Sequence, residues 1–142
     1  MIKIKHATVQ QARQRQLSGD PYVDVRSIPE FERGHPAGAS NVPWLHRNAY
    51  GLVMPNPDFL TVMRANFTPD TPLLIGCQAG VRSEQACEAL ATAGFTNLTN
   101  VLGGFGGSNS GDMGWIQANL PVETSAPEGC DYASLRKKAT ER

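Results

Sequence analysis

Apolar residues along this chain fall into short solid runs, and the stretches between them mix polar and apolar positions at helical spacing. Residues 22–26 (Tyr22-Val23-Asp24-Val25-Arg26), 73–76 (Leu73-Leu74-Ile75-Gly76) and 98–102 are too short for helices and are bounded by glycine, proline or asparagine, so each reads as a strand. The Leu73 run, apolar throughout, reads as a fully buried one. Residues 2–4 and 39–42 are shorter strand candidates. Between them, Thr8 can cap a helix over 9–17 that Gly19 and Pro21 stop. Ser27 can cap a brief helix with Pro29 in its first turn and Glu30 at the capping-box spacing, ended by Gly34, His35, Pro36 and Gly38. Asn56 begins a helix over 57–67, residues 83–94 form another closed by Gly94, and 112–118 a last one ended by Asn119, Leu120 and Pro121. The segment 43–57, rich in proline, asparagine, glycine and aromatics, reads as a loop lining an opening, and the glycine-serine patch 103–111 as a flexible loop. Strands alternating with helices predict an α/β fold, a mostly parallel central sheet with helices on both faces.

In such sheets ligands bind beyond the carboxyl ends of the strands. Cys77 sits there, immediately after the central strand and before the loop Gln78-Ala79-Gly80-Val81-Arg82 and the helix that Ser83 can cap. Backbone N–H groups of a tight loop opening a helix converge on one spot, and the helix dipole adds positive potential, so a sulfur there is expected as its anion. Gly80 lets the loop curl and Arg82 adds positive charge. The bland alternative is a free cysteine acting as a small buried apolar residue. Cys87, ten residues further along, falls inside the helix at a core position. Cys130 lies in a small-polar tail, either simply exposed or a reactive thiol.

Composition narrows the classes. A chain of 142 residues suits one domain. Thirteen basic residues balance thirteen acidic ones, with no basic block beyond Lys137-Lys138, which disfavours nucleic acid as a partner. No apolar stretch approaches the roughly 20 residues of a membrane helix, and the first residues lack a signal peptide's apolar core, so no membrane partner is expected. Three irregularly spaced cysteines form neither a disulfide framework nor a zinc knuckle, which fits a reducing compartment, by default the cytoplasm. The glycine patch carries no dinucleotide motif and no phosphate-binding lysine, and no metal or organic cofactor is expected.

Three motifs together resemble the single-domain rhodanese, or sulfurtransferase, family. Asp24-Val25-Arg26 with Glu30-Phe31 is similar to the family's D-V-R followed by E-F. Residues 34–43 (Gly34-His35-Pro36-Ala37-Gly38-Ala39-Ser40-Asn41-Val42-Pro43) are similar to its G-H-[IV]-x-G-A-x-N-[VI]-P, and residues 77–83 to its C-x-x-G-x-R-S loop. The match covers roughly 22–122, and the 43–57 segment with its following helix is most similar to single-domain plant and bacterial members. Pro36 replaces a branched aliphatic residue, Trp115 is displaced from Gly103-Gly104-Phe105 as if 106–113 were inserted, and the tail 127–142 has no counterpart in the family core. The expected organisation is a rhodanese-like domain over 1–126 with a C-terminal extension at 127–142.

The resemblance implies a cofactor-free sulfurtransferase. Cys77 would take a sulfane sulfur from a small anion such as thiosulfate, or from a persulfide donor, and pass it from a persulfide to cyanide or a thiol. A protein sulfur donor or acceptor is a further candidate partner. Cys77 and Arg82 are the expected catalytic residues. Gln78, Ala79, Gly80, Val81 and Ser83 form the loop that binds the persulfide. Asp24 and Arg26 either orient that loop or merely pair with each other or cap neighbouring helices, and His35 is read as structural. Trp44, His46 and Arg47 are candidate substrate contacts. Two rival readings remain, a sulfur-carrier or sensing module acting on a protein partner, and a phosphatase or arsenate reductase on the same scaffold. The latter relatives have one more residue in the loop, C-x-x-x-x-x-R, wide enough for a tetrahedral oxyanion. Here Cys77 to Arg82 spans six residues, which suits a sulfur atom.

Overall fold

The computed structural model describes residues 3–140. In chain order its elements begin β1 (Lys5–Ala7), α1 (Val9–Leu17), β2 (Tyr22–Asp24), α2 (Ile28–Arg33), β3 (His35–Pro36), β4 (Ser40–Asn41), β5 (Leu45–Arg47) and β6 (Val53–Pro55). They continue with α3 (Phe59–Asn66), β7 (Leu73–Gly76), α4 (Val81–Thr92), β8 (Leu98–Val101), β9 (Val122–Glu123) and α5 (Tyr132–Thr140). The apolar runs become the middle of a five-stranded sheet of order β1-β8-β7-β2-β4, every adjacent pair parallel. With β7 and β8 flanked on both sides, their residues are buried throughout, the solid apolar β7 as well as β8 with its Thr99 and Asn100.

Side chains alternate across a strand, so the sheet feeds two cores. Val23, Leu73, Ile75 and Leu98 face one that Phe59, Val62 and Met63 of α3, Leu90 of α4 and Leu135 of α5 complete. Tyr22, Leu74 and Val101 face the other, with Val9 and Ala12 of α1, Phe31 of α2 and Trp115. The expected α/β class, with helices on both faces, is the class observed.

Local capping chemistry accounts for the helix starts. Thr8 and Gln11 form a reciprocal capping box on α1: Gln11 N–H donates to Thr8 Oγ1 at 3.2 Å, and Thr8 N–H to Gln11 Oε1 at 2.9 Å. Glu30 Oε1 accepts from both the N–H and the hydroxyl of Ser27 at the start of α2.

Several expectations are corrected. The first strand lies at Lys5–Ala7, one step beyond 2–4, of which Ile2 is outside the described residues. β2 stops at Asp24, because Asp24 folds back to accept Arg26 N–H at 3.0 Å. The segment 43–57 is not all loop: β5 and β6 pair antiparallel, Leu45 with Pro55 and Arg47 with Val53. No helix forms over 112–118; turns occupy 115–119, and Trp115 is instead buried with its indole N–H donating to Pro121 O at 2.7 Å. The polar-looking tail carries α5, which packs on α3 and inserts Tyr132 and Leu135 into a core.

Candidate functional site

Strand β7 delivers Cys77 to the carboxyl edge of the sheet, and the chain then turns through Gln78, Ala79 and Gly80 into α4. The helix begins at Val81, two residues earlier than expected, with Gly80 as its N-cap in the left-handed region at φ +105°. A Cβ at Gly80 would meet nothing within 4 Å, so the residue is needed for its backbone conformation rather than for space. Ser83 is therefore not the cap but a buried residue of the first helical turn.

The Cys77 side chain is 2 % exposed, and its Sγ accepts the Gly80 N–H at 3.1 Å. Ser83 Oγ lies 3.3 Å from the same sulfur. Beyond them, the first turn of a helix leaves N–H groups without intrahelical acceptors and carries the positive end of the dipole. A buried sulfur with a backbone N–H donor beside it is what this arrangement supplies. Val81 stands exposed beside it.

Arg82 is placed differently from the expectation. Its guanidinium forks onto Glu30 of α2, Nη1 to Oε1 at 2.7 Å and Nη2 to Oε2 at 3.0 Å, so its charge is matched by a carboxylate rather than left free for the loop. Partial burial alone would raise the Glu30 carboxyl, but the Arg82 hydrogen bonds and charge, with those from Ser27, hold it at about 2. Reciprocally, the Glu30 hydrogen bonds push Arg82 further into its charged form.

Asp24 and Arg26 are placed together, and Arg26 reaches the cysteine loop as well. They form a buried ion pair, Nη2 to Oδ2 at 2.8 Å, and Arg26 also donates to Gly34 O at 2.7 Å and to Gln78 Oε1 at 3.4 Å while its guanidinium lies 4.3 Å from the Phe105 ring centroid. One cation thus joins β2, the end of α2, the cysteine loop and the segment after β8. His35 is structural: fully buried, stacked on Phe31 at 3.6 Å, its Nδ1 bonded to Phe31 O at 2.8 Å, with Nε2 3.5 Å from Glu123. Trp44 donates to Gln85 Oε1 on α4 at 3.2 Å and packs its edge on Phe59. His46 lies against Tyr132, and Arg47 is exposed on β5. The fold thus joins Arg26 directly to the cysteine loop and Trp44 to its helix, whereas His46 is held from α5.

Two features escaped the sequence reading. The glycine segment after β8 is not a free loop: Phe105 N–H donates to Cys77 O at 2.8 Å and Gly106 N–H to Gln78 O at 3.0 Å, strapping the first half of the cysteine loop. Gly104, at φ +54°, is required by proximity, since a Cβ there would run into the Cys77 carbonyl. The other is Asn100, a buried amide whose Oδ1 accepts from Ser83 Oγ at 2.6 Å. Its signal was available: an asparagine within an otherwise strand-like run, three residues before the pair Gly103-Gly104. Beside Gln78, a cleft of about 250 Å³ opens between Arg26, Glu30, Arg33, Phe105 and Ile116. Among the described residues no cluster of histidine, cysteine, aspartate or glutamate could hold a metal ion, and no helix is long and apolar enough to cross a membrane.

A parallel α/β sheet with a cysteine loop between its central strand and a helix defines a class that comparison resolves. The rhodanese-like domain model matches residues 8–109, and the chain belongs to that family. It is 38% identical over 107 residues to thiosulfate sulfurtransferase 16, chloroplastic, of Arabidopsis thaliana, covering 75% of this chain and 82% of that one. It is 30% identical to the thiosulfate sulfurtransferase GlpE of Haemophilus influenzae (strain PittEE), covering 87% and 99%. To the senescence-associated protein DIN1 of Raphanus sativus it is 39% identical over 81% of this chain; the match spans only 58% of that relative's length. The crystal structure of Rv0390 from M. tuberculosis superposes with a TM-score of 0.71 at 27% identity, over 88% of this chain and all of that one.

Proposed function

We propose that the protein is a sulfurtransferase that works through a persulfide on Cys77. The Cys77 thiolate attacks the outer sulfur of a donor such as thiosulfate. A sulfur–sulfur bond forms, the donor's own sulfur–sulfur bond breaks, and sulfite leaves with the electron pair. The acceptor, cyanide or a thiolate, then attacks the outer sulfur of the persulfide, and Cys77 departs as a thiolate, ready for the next cycle. Both half-reactions move negative charge among sulfur atoms, so what the site must supply is a nucleophile and preorganised N–H donors. The observation that carries this reading is the position of Sγ, 3.1 Å from the Gly80 N–H at the entrance of α4. Two relatives named as thiosulfate sulfurtransferases support the choice of donor. Gln78, Ala79, Gly80, Val81 and Ser83 line the persulfide, Asp24 and Arg26 hold the loop, and Arg82 serves through its Glu30 bridge. A reducing compartment such as the cytoplasm suits three free thiols.

The test is mass spectrometry of the Cys77 peptide after exposure to thiosulfate. One added sulfur, lost again on adding cyanide, is the expected result. An unmodified Cys77 with sulfur on Cys130 would overturn the assignment.

A further inference from the structure

Ser83 has one proton and three neighbours that can accept it. Asn100 Oδ1 is 2.6 Å from its Oγ, Gly80 O 3.1 Å, and Cys77 Sγ 3.3 Å. The shortest of these is at the tight end of the O–H···O range, so the hydroxyl donates to Asn100 and turns lone pairs toward the sulfur. That polarity suits a Cys77 thiol, whose S–H then donates to Ser83. It does not suit a thiolate or persulfide, which needs the hydroxyl proton pointed at it.

We infer that Asn100 is a positioning residue which sets the state of the reacting sulfur through Ser83. The Ser83 hydroxyl is a rotor: with Cys77 protonated it bonds Asn100, the nearer of its two oxygen acceptors, and with Cys77 ionised it turns to Sγ and releases Asn100. Asn100 and the sulfur anion compete for one proton, which moves by rotation about Cβ–Oγ with no transfer between heavy atoms. Both partners are buried, Ser83 completely and Asn100 at 1 % exposure, so bulk water does not replace either bond freely. Asn100 is fixed by the sheet, between Ile75 of β7 and His6 of β1 in register. Tyr22 and Arg82 interact electrostatically with this sulfur, as does Cys87 further along α4. The Asp24–Arg26 pair also bears on the site, and His6 flanks Asn100. None of these changes in the variants below.

This inference rests on Cys77 being the reacting sulfur, but its test reads ionisation rather than transfer. The rate of iodoacetamide labelling is followed against pH on the Cys77 peptide by mass spectrometry, in the full chain. Asn100→Leu frees the Ser83 proton for the sulfur, and the profile should move to lower pH by about one unit, equivalent to roughly tenfold faster labelling on its acidic limb. Ser83→Ala should move it upward, and in that background Asn100→Leu should have no further effect. Asn100→Asp, which holds the hydroxyl more tightly, should move the profile upward by more with Ser83 present than in Ser83→Ala, and serves if the leucine variant does not fold. An unmoved profile in Asn100→Leu, or equal shifts with and without Ser83, would overturn the coupling. Absence of sulfur transfer in the unaltered protein with these shifts intact would instead count against the proposed reaction.

Discussion

Two buried cysteines, Cys77 in the loop before α4 and Cys87 near the middle of that helix, have surroundings that differ in kind. Cys87 is fully buried among core residues, and burial, with smaller contributions from Glu84, Cys77 and Glu88, pushes its thiol up to about 12. Cys77 is almost as buried, yet it has the Gly80 N–H at 3.1 Å and the Ser83 hydroxyl at 3.3 Å. Burial by itself makes a cysteine inert; burial beside a backbone N–H at a helix entrance gives the sulfur a donor. The difference comes from where the backbone has unspent N–H groups, which is at the end of a helix and not along it.

The strongest way to break that contrast is to exchange the thiols. Cys77→Ser should lower thiosulfate-to-cyanide turnover by about a thousandfold or more with the circular dichroism spectrum unchanged, whereas Cys87→Ser should retain most activity. Equal turnover in the two variants would erase the distinction. Lengthening the loop tests the donors. One glycine inserted between Gly80 and Val81 should cost about a hundredfold in sulfur transfer by displacing the Gly80 N–H, and hydrolysis of p-nitrophenyl phosphate measured in the same preparations checks whether the wider loop admits an oxyanion.

The strap can be probed without touching the loop. Gly104→Ala places a Cβ against the Cys77 carbonyl and asks a non-glycine residue to hold φ +54°, so turnover should fall by about tenfold to a hundredfold, read from kcat and KM separately. At the inert end of the comparison, Cys87→Ser should cost roughly 1–3 kcal/mol in urea unfolding, since a hydroxyl enters an apolar core. The smallest effect belongs to the bridge over α2 and α4. Glu30 is held at about 2 against the usual 4.5, so its ionised form is favoured by folding. Its contribution is complete above about pH 4.5 and is lost as the pH falls through about 2, and Glu30→Gln should remove that dependence. The stability gap between parent and variant should be about 1 kcal/mol at neutral pH, discounted for solvent screening, and should close as the solution is acidified.

Much of this was legible in the linear chain because it depends on neighbours a few residues apart. The Thr8 cap and its Gln11 partner, the Ser27–Glu30 contact, the solid run of β7 and the position of Cys77 after it are local facts, and the α/β class follows from their alternation. The burial of Cys87 followed from its place in α4. What escaped was decided across the fold. Arg82 looked like a free cation until α2 brought Glu30 to it from 52 positions away. The glycine patch looked slack until Phe105 and Gly106 were seen bonded to the backbone of residues 77 and 78. The sequence by itself determined the central strands, the capped helices and which sulfur stands at a strand end, because helix capping, strand burial and loop chirality are set by short-range sterics and hydrogen bonds. Only the tertiary structure decided which charges neutralise each other and which hydroxyl and amide meet at that sulfur, because those contacts exist only after β2, β7 and β8 lie side by side.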